Sequence, residues 1–111
     1  MVVAGYLGSL GHMNTEEARR VAIDYLARYR EVSYQELCQL IGSTPQTVNV
    51  VAPTGTRYQV ELQAFWDDPK KPNEVLRVSV AVDDGGLRTY FPLCEDFLMK
   101  PDGSFLGEHV A

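Results

Sequence analysis

The sequence predicts an α+β domain: two N-terminal helices packed on one face of a curved antiparallel β-meander of four to six strands. Three observations carry this. Apolar residues recur with helical spacing between residues 18 and 41. From Thr47 onward the period changes to two. No helix-length gap separates the later segments, which excludes parallel βαβ units, and helices grouped ahead of strands define the class.

The helices come first. Asn14 with Glu17 three residues later matches an N-cap and its capping-box partner. Behind them Ala18, Val21, Ala22, Tyr25, Leu26 and Tyr29 fall on one stripe, so a helix is expected over 15–30. Glu16 with Arg20, and Asp24 with Arg28, are acid-before-base pairs four apart on its wet side. Ser33 and Glu36 form a second capping box, and Gly42 stands where a left-handed C-terminal cap belongs. Leu37, Cys38, Leu40 and Ile41 supply the buried side of a short helix over 34–41.

The strands follow. Thr47–Ala52 is β-branched and ends at the turn signal Pro53-Thr54-Gly55. Tyr58, Val60, Leu62, Ala64 and Trp66 alternate with Arg57, Gln59, Glu61, Gln63 and Phe65, a strand with one apolar face. A polar loop over 67–73 leads to Leu76, Val78, Val80 and Val82, alternating with Arg77, Ser79, Ala81 and Asp83. Asp84-Gly85-Gly86 predicts a tight hairpin into a strand over 87–93, which Pro92 places at an edge or interrupts. Residues 94–96 are expected to be a linker. A last hairpin is expected from Phe97-Leu98-Met99 through Lys100-Pro101-Asp102-Gly103 to Ser104-Phe105-Leu106. The tail 107–111 carries no structural signal.

Domain organisation is expected to be simple. The chain has 111 residues, 45% hydrophobic and 23% charged, the mix of one soluble globular domain over 14–111. Residues 1–13, MVVAGYLGSLGHM, are expected to be a flexible segment or to add an edge strand through Val2-Val3-Ala4. His12-Met13 matches a common cloning remnant, so two readings of this segment stand side by side: partly vector-derived, or native sequence from Met1. It has no basic start, and neither a secretory signal nor a membrane span is expected. Cys38 and Cys94 belong to no CxxC pair and suit a reducing cytoplasm.

Charge limits the partners. The net charge is −5, and the whole excess lies in residues 61–111, with ten acids against five bases. That half repels duplex nucleic acid and anionic membrane surfaces, which are bound mainly through Lys and Arg. Residues 33–52, SYQELCQLIGSTPQTVNVVA, resemble a helix-turn-helix. The would-be recognition segment 45–52 nevertheless lacks Lys and Arg and is rich in Val, so no nucleic-acid binding is expected. The stretch DFLMKPDGSFLGE resembles the end of small bacterial domains and implies no activity.

Motifs for chemistry are sparse. The sequence holds no phosphate loop, HExxH or GxSxG, and its two histidines, His12 and His109, lie near the ends. No catalytic residue, cofactor or metal is therefore expected. The one oxygen-rich candidate for a hard cation is Asp67, Asp68, Glu95 and Asp96, if the meander brings both loops to one end. Against it, Asp is an ordinary turn residue, and Lys70 and Lys71 are local counterions. Aromatic residues remain. Tyr58, Trp66, Phe91 and Phe97 are candidates for a pocket that would take a small apolar ligand. Phe65 and Tyr90, with Val75 and Ala81 beside them, are expected on the sheet face away from the helices and are the candidate interface of a homodimer. The leading expectation is a small non-catalytic interaction or accessory protein that associates with itself or with a protein partner. The alternative is a ligand-binding or enzymatic pocket protein.

Overall fold

The computed structural model describes residues 14–85 and 92–107. Two helices, α1 (Thr15–Arg30) and α2 (Tyr34–Cys38), precede five strands: β1 (Gln46–Val51), β2 (Arg57–Trp66), β3 (Leu76–Asp83), β4 (Leu93–Met99) and β5 (Phe105–Leu106). The strands lie in sequence order, each antiparallel to the next, in one open sheet. This is the expected meander, and both helices pack on the same side of it.

The stripe read from α1 is the stripe that is buried: Ala18, Val21, Ala22, Tyr25 and Leu26, with Tyr29 partly covered. The Glu17 N–H donates to Asn14 Oδ1, as the cap requires. Helix α2 ends at Cys38, three residues short of the expected 41. Beyond it the Leu40, Ile41 and Ser43 N–H groups each donate to a carbonyl three residues back. This tighter winding closes at Gly42, whose φ of +80° is a conformation a side chain would strain.

Helix α1 lies over β3 and β4, and α2 over β2 and β3. Beneath them Tyr58, Val60, Leu62, Ala64, Leu76, Val78, Val80, Val82, Leu93, Phe97 and Met99 form the inner layer. The period-two alternation of β2 and β3 is thus a true record of which side is covered. Strand β1 starts and ends one residue earlier than expected. Ala52 belongs to the turn, where its N–H donates to Thr56 and its carbonyl accepts from Gly55.

The partner of β3 differs from expectation. Leu93 stands opposite Val82 and Met99 opposite Leu76, so β3 pairs with 93–99. Residues 94–96 are therefore strand rather than linker. Alternation was hidden there because an acid, Glu95, occupies an inward position between Leu93 and Phe97. It is accommodated because Arg19 of α1 reaches it at 3.4 Å. Pro92 precedes the strand instead of interrupting it, where no ladder N–H is needed. The Gly85 N–H donates to Asp83 Oδ1 as the chain leaves β3. The expected strand residues 87–91, including Tyr90 and Phe91, and the segments 1–13 and 108–111 lie outside the described residues.

A polar clasp holds the helix layer to the sheet. The Glu17 carboxylate accepts from Thr54 Oγ1 at 2.8 Å and from the Tyr58 hydroxyl at 2.9 Å. The hydrogen bond from Thr54 holds the Glu17 pKa below its ordinary 4.5. Burial first, and then the bond to Glu17, push Tyr58 up to about 12. Burial and the neighbouring Tyr25 hydroxyl push Tyr29 up to about 12 as well. A group whose folded pKa is raised contributes in full below its ordinary value, and that contribution fades as pH climbs to the folded value. The urea midpoint should therefore fall between pH 10 and 12. Tyr58→Phe should make that fall shallower, with the Tyr29 part remaining. An identical slope in the variant would contradict the assignment.

Candidate interaction surface

The side of the sheet away from the helices is built by the outward residues of all five strands. The register sets them in rows. Phe65, Arg77, Leu98 and Leu106 form one, and Gln63, Ser79 and Asp96 the next. Thr47, Glu61, Ala81 and Cys94 make the third. Alternation on β2 sends Phe65 outward once Ala64 and Leu62 point in, and its 40% exposure follows from that geometry. Leu106, at 38% exposure, ends the same row.

Arg77 organises the polar part of this face. It donates to Asp67 Oδ1 at 2.6 Å and to Asp96 Oδ2 at 2.5 Å. The bond to Asp67, followed by that to Asp96, raises the guanidinium pKa above its ordinary value despite partial burial. Two of the four acids singled out as an oxygen-ligand cluster thus do come together, but around a cation from the chain itself. The other two part from them. Glu95 turns to the helix side and Arg19, and the Asp68 carboxylate accepts from the Lys70 N–H within its own loop. In the sequence Arg77 is only one of the residues alternating with Leu76, Val78, Val80 and Val82. Its role shows only once β3 is registered against β4, which sets Asp96 one row from it.

Burial bears on both thiols. Cys38 packs partly buried against the core, and burial pushes its pKa up. Cys94 is exposed on the outer face, and burial of the sulfur together with Asp96 and Glu95 raises its pKa too. A thiol kept protonated lacks the thiolate that nucleophilic catalysis uses.

The pocket candidates occupy different places. Tyr58 and Phe97 are 1% and 2% exposed within the packed core. Trp66 is partly buried against its edge, and Phe91 lies outside the described residues, as does Tyr90 of the interface pair. A groove lies elsewhere, between α1 and the end of β1. Val21, Tyr25, Val50, Val51, Ala52 and Pro53 give it apolar walls, with Glu17, Arg20, Asp24 and Arg28 along the helix. Its volume is ~210 Å³.

Among the described residues strand β1 forms one edge of the sheet. Its register with β2 runs without a break from Gln46 opposite Leu62 to Val51 opposite Arg57. Residues 63–66 of β2, including Phe65, extend beyond it. Among the described residues no helix is long and apolar enough to cross a membrane. Comparison of the chain with protein-family models, curated proteins and solved structures found no match.

Proposed function

We propose that this chain is a small, non-catalytic interaction or accessory protein that associates with itself through the uncovered side of its sheet. The observation that carries the reading is Phe65, a large apolar side chain 40% exposed on a face that neither helix covers. Leu98 and Leu106 stand in the same row on the far side of Arg77, and a second copy packed on this face would bury all three apolar side chains together. A closed two-fold dimer, the commonest assembly, uses the same patch on both copies. A cytoplasmic setting belongs to this reading, supported by two unpaired cysteines, one packed against the core and one on the outer face. The pocket alternative has the α1–β1 groove in its favour, but ~210 Å³ is below the roughly 300–1,000 Å³ typical of small-molecule sites.

Light scattering on the unmodified chain and on the Phe65→Ser, Tyr90→Ser double variant tests the proposal. The unmodified chain should run at twice the 12.4 kDa of one chain at high micromolar concentration. The variant should stay folded and run as a monomer at the same concentration. A variant that dimerises as tightly as the unmodified chain would remove these side chains from the interface.

A further inference from the structure

We draw no further inference here: the strongest candidate, the apolar groove between α1 and the end of β1 walled by Val21, Tyr25, Val50 and Val51, carries no proposal because nothing in the structure shows what covers it.

Discussion

Phe97→Ala should destabilise the fold by about 3–5 kcal/mol, as expected for emptying a buried aromatic site. Phe97 is 2% exposed and sits in the inner layer of β4. Its ring meets Phe105 edge-on, with centroids 5.5 Å apart. The Arg30 guanidinium lies 5.0 Å from one ring centre and 4.9 Å from the other. Truncation therefore opens a void beneath α1 and also removes the platform that holds β5 and Arg30. Few domains exceed about 15 kcal/mol in total, so a loss of this size is a large share. The urea midpoint should fall steeply, and Phe105→Ala, at a partly exposed site, should cost less. A loss under about 1 kcal/mol for Phe97 would contradict the packing of β4 against α1.

Leu62→Ala should cost about 2–5 kcal/mol, while Gln63→Ala stays within about 0.5 kcal/mol. The two residues are neighbours on β2, but Leu62 is 1% exposed beneath the helices and Gln63 lies on the outer face. Paired urea melts compare them directly. Equal costs would mean that the strand is turned over, since a one-residue slip exchanges its faces.

These positions also show where the sequence was transparent. Leu62, Val78 and Val80 stand in unbroken alternation with polar neighbours, and burial follows that pattern residue by residue. The six-residue stripe of α1 was equally plain, because its period and its Asn14 cap agree. Strand β4 was not, because Glu95 breaks the apolar run. What permits an acid there is Arg19, 76 residues away in the chain, and no local pattern reports such a partner. The same holds for Glu17. Its spacing from Asn14 suggested a local capping role, and its carboxylate instead ties Thr54 and Tyr58 to the helix. Phe65 was placed on the outer face by alternation alone. Its row neighbours were not foreseen, since Arg77, Leu98 and Leu106 join it only through the registers of β2 with β3, β3 with β4 and β4 with β5.

Self-association is the claim on which the functional reading turns, and sedimentation equilibrium of the unmodified chain across low to high micromolar concentration tests it most directly. The mass should rise with concentration from 12.4 kDa toward twice that value and level off there, as a closed two-fold assembly requires. A mass of 12.4 kDa at every concentration would contradict it.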